Sequence, residues 1–171
     1  TDGNSVSNIL PLPMCIGNIA NIKEKEKENV LIVNMEEKTT LTTIIDQKIY
    51  NVDKIEEGMN IILSNINEKE NSYSKAYEIC KNTTIYTMQG RNLQVEENEY
   101  MEDIMPVLYK IVENLKSIIN SSTIAIDEIY ITGLAVAINN IDLYFQENFP
   151  DKKCDILTPF FVDKTNIKLN I

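Results

Sequence analysis

Paired carboxylates are the groups in this sequence that most readily suggest chemistry. Such pairs act as general acid and base when a protein holds them on either side of a substrate. The pairs here fall at predicted turns or helix starts, where negative charge stabilises the helix dipole. We therefore interpret all three as capping or solvated residues: Glu56-Glu57, Glu96-Glu97 and Glu102-Asp103.

Histidine is absent from the chain. Its absence excludes Ser-His and Cys-His nucleophile pairs, histidine metal sites and a histidine general base. The cysteines Cys15, Cys80 and Cys154 lie far apart and form no CxxC pair, so we predict reduced thiols in the core. The sequence therefore assigns no catalytic residue and no metal site.

Polar residues flank one predicted turn. Asn34 follows an apolar run, and Thr39 and Thr40 come after the turn. Their amide and hydroxyl groups could hydrogen-bond a phosphate or a metal-bound water. The structural alternative is a solvated hairpin turn at 34–38 followed by ordinary β-branched strand residues.

A second turn, at Thr132-Gly133, precedes a predicted helix. Backbone N–H groups near Ala135 and Val136 could hold an anion there, as helix starts do. The structural alternative is a tight strand-to-helix turn in which glycine supplies a positive φ.

The charge balance excludes two classes of partner. The 171 residues carry 16 basic and 26 acidic side chains, which gives a net charge of −10. Such a polyanion repels phosphate backbones and anionic membranes, so we predict no nucleic-acid partner. No apolar run approaches the ~18 residues of a membrane span, so we predict no direct membrane insertion. The isolated cysteines favour a cytoplasmic protein. A chain beginning with Thr1 suggests a fragment or a processed product.

The first half of the chain predicts an N-terminal extension and a β-meander. Residues 1–29 form the extension and end in a charged linker. Three strands follow at 30–33, 39–45 and 48–55, with Asp46-Gln47 as a tight turn. Gly58 then marks a strand-to-helix junction, where we expect a positive φ.

Helices dominate the middle of the chain, residues 56–127. One begins near Met59 and another is capped by Ser72, whereas residues 82–91 are ambiguous. An apolar stripe predicts a long helix over 97–120, with Pro106 as a possible kink. We interpret its methionines, with Tyr100 and Tyr109, as residues of the buried apolar stripe and of the flank of the helix. They are not interpreted as the lining of a binding groove.

The C-terminal part, residues 128–171, predicts a β-turn-α-β unit. The pattern favours a strand at 128–131, a helix at 136–149 and a strand at 154–157. We expect the first of these strands to lie beside the strand at 30–33, with both C-terminal ends facing one cleft.

Two of these stretches resemble motifs of the actin-like ATPase superfamily. Residues 30–40, VLIVNMEEKTT, resemble its second phosphate loop, in which a strand ends in Asp-x-Gly-x-x-Thr. Residues 129–145, IYITGLAVAINNIDLYF, resemble its adenosine loop, in which a strand ends in Thr-Gly-Gly. Within the superfamily the sequence looks most like PilM-type type IV pilus assembly proteins, with FtsA-type cell-division proteins second.

The resemblance implies an α/β fold: an actin-like, ribonuclease H-like second lobe over residues 30–171, with a mixed sheet and a β-meander flanked by helices. If nucleotide binds, it implies Asn34, Thr39, Thr40, Gly133, Leu134 and Ala135 as the residues that line it. The chain departs from the family pattern at several positions, however. Asn34 replaces the aspartate, Glu36 and Glu37 replace glycines that let backbone N–H groups approach phosphate, and Leu134 replaces the second glycine of the adenosine loop.

These departures favour a non-catalytic scaffold or adaptor, similar to the PilM-type component, that acts through protein contacts without a cofactor. The resemblance implies partners in a pilus or division machine at the inner face of the cytoplasmic membrane, and possible homo-oligomers. Two alternatives stay open: half of an actin-like ATPase that binds ATP with magnesium, or an FtsA-type division adaptor.

Overall fold

The fold is taken from a computed structural model that describes residues 29–89, 92–95 and 98–157 and the single residue Pro13. The predicted N-terminal extension, the tail from residue 158 onward, Cys15 and the pair Glu96-Glu97 lie outside these ranges.

Three strands form the predicted meander: β1 (Val30–Met35), β2 (Thr39–Ile45) and β3 (Lys48–Ile55). Asp46 and Gln47 connect β2 to β3 with φ values of 47° and 62°. Two successive positive φ angles are what a two-residue turn needs to match the twist of its strands. The meander and its turn are therefore confirmed, with β1 two residues longer than predicted.

Two parallel strands extend the sheet on the other side of β1. These are β6 (Glu128–Gly133) and β7 (Lys153–Ile156), and the five-stranded order is β3-β2-β1-β6-β7. Residues 30–35 of β1 run parallel to 128–133 of β6 in register. The sheet is therefore mixed, and the predicted pairing of these two strands is confirmed.

Three helices lie between the meander and β6: α1 (Met59–Glu70), α2 (Tyr73–Asn82) and α3 (Met101–Ser121). The Ser72 hydroxyl accepts a hydrogen bond from the Lys75 backbone N–H at 3.3 Å, so the predicted N-cap of α2 is confirmed. The ambiguous segment at 82–91 contains strand β4 (Tyr86–Gln89), which forms a separate hairpin with β5 (Asn92–Val95) just beyond that segment.

The long helix α3 starts at Met101, four residues later than predicted. Asn98 explains the difference, because its side-chain oxygen accepts from the Tyr100 N–H at 2.9 Å and so forms a local turn before the helix. Glu102 and Asp103 occupy the first turn, and both pair with Lys69 of α1, at 2.9 and 2.6 Å. The predicted place of this carboxylate pair at a helix start is confirmed, whereas its ion pairs with Lys69 were not predicted.

The helix predicted at 136–149 is wrong at its start. A 3-10 turn (Leu134–Ala137) follows β6, and α4 spans only Ile141–Asn148. The Asn139 N–H donates to the Thr83 carbonyl and the Ile85 N–H donates to the Asn139 carbonyl, at 2.9 and 3.2 Å. These long-range bonds hold the chain between the 3-10 turn and α4, where Ile138 is extended. Helix α4 begins only after Asn140, whose backbone is left-handed with a φ of 61°.

One apolar core joins helices α1, α2, α3 and α4 to one face of the sheet. Its fully buried members include Leu31, Val33 and Ile131 from the strands and Ile62, Leu115 and Phe145 from the helices. A smaller cluster on the opposite face contains Ile32, Ile44, Tyr130 and Leu157. Cys80 is a buried free thiol and Cys154 a half-buried one, as the sequence predicted.

Candidate functional site

The candidate site lies where β1 and β6 end side by side. Asn34 is in register with Thr40 on one neighbouring strand and with Thr132 on the other. Residues paired in register point to the same face of a sheet. The fold therefore places three polar side chains in one row across β2, β1 and β6, at the end of the sheet where open α/β folds bind ligands.

Asn34 is the buried centre of this row. Only 4% of its surface is exposed. Within the described part of the chain, its side-chain amide makes no hydrogen bond. Leaving a buried amide without a partner costs roughly 1–3 kcal/mol.

Gly133 makes room for Asn34. Its φ is +87°, and a Cβ at this position would lie 2.6 Å from the Met35 carbonyl oxygen and 2.8 Å from the Asn34 Oδ1. Only glycine therefore lets β6 approach β1 this closely. The predicted positive φ at this tight turn is confirmed.

The turn between β1 and β2 is fixed by the chain that enters α1. The Met59 N–H donates to the Glu36 carbonyl at 2.7 Å, and the Glu36 N–H donates to the Lys38 carbonyl at 3.2 Å. Glu37 and Lys38 are exposed, and Lys38 pairs with Glu56. In a phosphate-binding loop, successive backbone N–H groups point at the ligand. In this turn the Glu36 N–H donates to the Lys38 carbonyl instead.

The positive φ expected at Gly58 is wrong: its φ is −163°, an extended value open to any residue. Glycine is needed there for a different reason. A Cβ would lie 2.4 Å from the Glu37 carbonyl oxygen and 2.8 Å from that of Glu36. Gly58 thus lets the strand-to-helix junction pack directly against the backbone of the turn.

Thr39 and Thr40 have different roles. Thr39 is fully buried, and both its N–H and its hydroxyl donate to the Glu57 carbonyl, at 3.1 and 2.7 Å. Its polar groups therefore hold β2 to the junction before α1. Thr40 is half-buried and belongs to the Asn34 row.

Leu134 and Ala135 also face the protein. Leu134 is half-buried and packs against the main core, and Ala135 is fully buried. The Ile138 N–H donates to the Ala135 carbonyl at 3.0 Å, which closes the 3-10 turn. The α-helix predicted to start at Ala135 and Val136 is wrong, because these residues lie in a four-residue 3-10 turn.

The interpretation of Glu57 as a capping or solvated residue is wrong, because its side chain is only 13% exposed and joins the junction before α1 to α3. The Glu57 carboxylate pairs with Lys110 of α3 and accepts from the Asn114 side chain at 3.2 Å. The hydrogen bond from Lys110 is the main cause that lowers the pKa of Glu57, against the opposing effect of burial. Both partners lie more than fifty positions away in sequence, so no local pattern could have indicated them.

Replacing Glu57 with glutamine is expected to lower the free energy of unfolding by about 1 kcal/mol at pH 7. A lowered folded-state pKa stabilises the fold above the unfolded-state value of about 4.3 and ceases to do so as pH falls through the folded-state value. The difference between wild type and Glu57→Gln should therefore shrink in acid.

Urea unfolding of dilute protein at pH 7 and near pH 3.5 measures this difference. Glu56→Gln is the matched control, since the Glu56 carboxylate is 76% exposed in its pair with Lys38. An effect at Glu57 no larger than at Glu56, or one that persists unchanged in acid, would contradict the assigned role.

Two further features bear on cofactors and membranes. Among residues 29–89, 92–95 and 98–157, no three acidic or cysteine side chains cluster closely enough to hold a metal ion. No helix within the described chain is both long and apolar enough to cross a bilayer.

Neither protein-family models nor curated protein sequences give a match to this chain. Solved structures do. The PilM–PilN type IV pilus biogenesis complex aligns with a TM-score of 0.69 at 14% identity, over 93% of this chain and 46% of that chain. MreB5 of Spiroplasma citri bound to ADP aligns with a TM-score of 0.64 at 14% identity, over 88% of this chain and 55% of that one. The ethanolamine utilization protein EutJ from Carboxydothermus hydrogenoformans aligns with a TM-score of 0.58 at 15% identity, over 86% and 50%.

These likenesses show the fold. The chain is an actin-like α/β unit with a mixed five-stranded sheet and flanking helices. It spans about half the length of the structures that it matches.

Proposed function

We propose that this actin-like chain is a scaffold or adaptor of a bacterial assembly machine of the type IV pilus kind and acts through protein contacts. The proposal draws its partner class from the likeness to PilM in a PilM–PilN complex. Its location is the cytoplasmic side of the inner membrane, where partners hold it.

The observation that carries the non-catalytic part is the turn at 36–38. Two glutamates stand where glycines are needed, and Gly58 packs against the carbonyl groups of both. Two carboxylates beside a triphosphate would each repel it, by roughly 4 kcal/mol per unit charge pair at an effective dielectric of 20 and by less at the exposed Glu37, where solvent screens the charge. The turn is therefore poorly built for the phosphates of ATP.

The second candidate is nucleotide binding, as half of an actin-like ATPase. The buried amide of Asn34, beside Thr40 and Thr132, favours it, because this row offers polar groups at the strand ends. In this alternative Asn34, Thr40 and Gly133 lie beside ATP with magnesium, whereas Thr39 and Ala135 are fully buried and Leu134 packs against the core. The structure of MreB5, which this chain resembles in fold, was solved with bound ADP.

Titration of ATP with magnesium separates the two functions. We expect no calorimetric signal at submillimolar affinity from this chain or from a longer natural chain that contains it. The triple variant Asn34→Asp, Glu36→Gly, Leu134→Gly restores three positions of the family pattern and serves as the gain-of-binding comparison, with circular dichroism to verify its fold. Saturable ATP binding by the wild type would establish the nucleotide-binding alternative instead.

A further inference from the structure

A cleft on the helical side of the molecule combines tyrosine rings with an acidic group. It lies between α3 and α4 and has a volume of about 580 Å³, within the range of about 300–1,000 Å³ typical of ligand pockets. Its walls are formed by Tyr86, Met105, Pro106, Tyr109, Tyr144 and Glu147. None of these residues belongs to the row at the strand ends.

The three tyrosines give the cleft a rigid aromatic wall and one accessible ring. Tyr86 and Tyr144 are 8% and 4% exposed, and their ring centroids are 6.1 Å apart. Tyr109 is 60% exposed, so its ring is accessible to a binding partner. The sequence had placed Tyr109 only on the flank of the helix.

Glu147 supplies an exposed negative charge at this wall. Burial and the hydrogen bond that the Tyr86 hydroxyl donates to Glu147 raise the pKa of Tyr86. None of the ion pairs among the described residues includes Glu147. The nearby Lys116 is already engaged with Glu113 and Asn148, at 3.1 Å each. Burial raises the pKa of Tyr144 to about 12, and the charges of Glu113 and Glu147 contribute to this shift. The surroundings of these rings are thus negative, in a chain whose net charge is −10.

Aromatic faces beside a carboxylate that has no ion-pair partner attract planar cations. A guanidinium group stacks on tyrosine, gains about 0.5–2 kcal/mol from the ring, and pairs with a carboxylate through a planar fork of donors. The geometry points to this cleft as a docking site for an arginine side chain on a basic segment of a partner protein. The inference rests on the proposed scaffold function and names the chemistry of one partner contact.

The test titrates an acetylated Gly-Leu-Arg-Leu-Gly peptide into the chain, with binding followed by NMR of the tyrosine rings. We expect saturable binding at about millimolar affinity that shifts the Tyr109 resonances. The same peptide with citrulline in place of arginine keeps the shape, loses the charge, and should bind at least about fivefold more weakly.

Two variants locate the site. Tyr109→Ala and Glu147→Gln should each weaken binding by about two- to fivefold. Tyr73→Ala removes a tyrosine of equal exposure, 59%, at the start of α2, and Glu68→Gln removes an exposed charge on α1; both controls should bind as the wild type does. No saturation up to about 5 mM, equal binding of the citrulline peptide, or equal loss in the controls would overturn the inference.

The nucleotide titration reports on the proposed function independently. If the chain binds both ATP and the arginine peptide, the non-catalytic part of the proposed function is contradicted and the arginine site is supported. Absence of both would leave a scaffold without this contact.

Discussion

Truncation of Leu115 to alanine is expected to lower the free energy of unfolding by about 2–5 kcal/mol. Leu115 is fully buried in the middle of α3, within the core that joins the helices to the sheet. The loss combines the transfer free energy of the removed atoms with the cost of a cavity that the neighbouring strands cannot fill by moving.

Urea unfolding followed by circular dichroism measures this effect. Ser117→Ala, two residues further along α3 at an exposed position, is the matched control and should change stability by no more than about 0.5 kcal/mol. An unchanged midpoint for Leu115→Ala would show that this face of α3 does not pack in the core.

Replacement of Gly133 by alanine is expected to cost about 3 kcal/mol or more. Its backbone, at φ 87° and ψ −161°, lies in a region that is nearly exclusive to glycine and costs other residues about 1–3 kcal/mol. The added Cβ would also meet the Met35 carbonyl oxygen at 2.6 Å. Because that neighbour is backbone in a central strand, relief requires β1 and β6 to separate, at a further cost of about 1–3 kcal/mol.

Asn71→Ala is the control for the conformational part of this effect. Asn71 also has a positive φ, 52°, and already carries a Cβ, so its replacement tests the left-handed backbone without a new clash. We expect a loss of no more than about 1 kcal/mol there. A loss at Gly133 as small as at Asn71 would contradict the close approach of the two strands.

The sheet was largely predictable because its strands carry local patterns. Alternating and β-branched runs mark β2 and β3, and a continuous apolar run marks β1 as a central strand buried on both faces. The long helix was equally clear from its apolar stripe. Its first residue was not, because the Asn98 turn uses a side-chain hydrogen bond that an apolar pattern does not record.

Errors occurred where a distant segment determines the backbone. The start of α4 depends on hydrogen bonds between Asn139 and the segment at 83–85, which no local propensity encodes. Gly58 was recognised as a necessary glycine for the wrong reason, since its conformation is extended and its constraint is contact with the turn at 36–38.

The residues of the candidate site also fall into two groups: those that the sequence could select and those that it could not. Asn34, Thr40 and Gly133 could be selected from sequence because they follow or flank strands, and the pairing of β1 with β6 was predicted. Two other features could not be predicted from sequence: the internal hydrogen bonds of Thr39 and the ion pair of Glu57 with Lys110. Both depend on how α1 and α3 dock on the sheet.

By itself, the sequence determined the acidic charge, the absence of histidine chemistry, the meander and the apolar faces of the main elements, because composition and periodicity act locally. Only the tertiary structure decided which polar groups meet. It buried Asn34 between two threonine-bearing strands and brought Tyr86, Tyr109 and Tyr144 together beside Glu147. Such juxtapositions depend on strand register and helix docking, which are set by packing of the whole core rather than by any one segment.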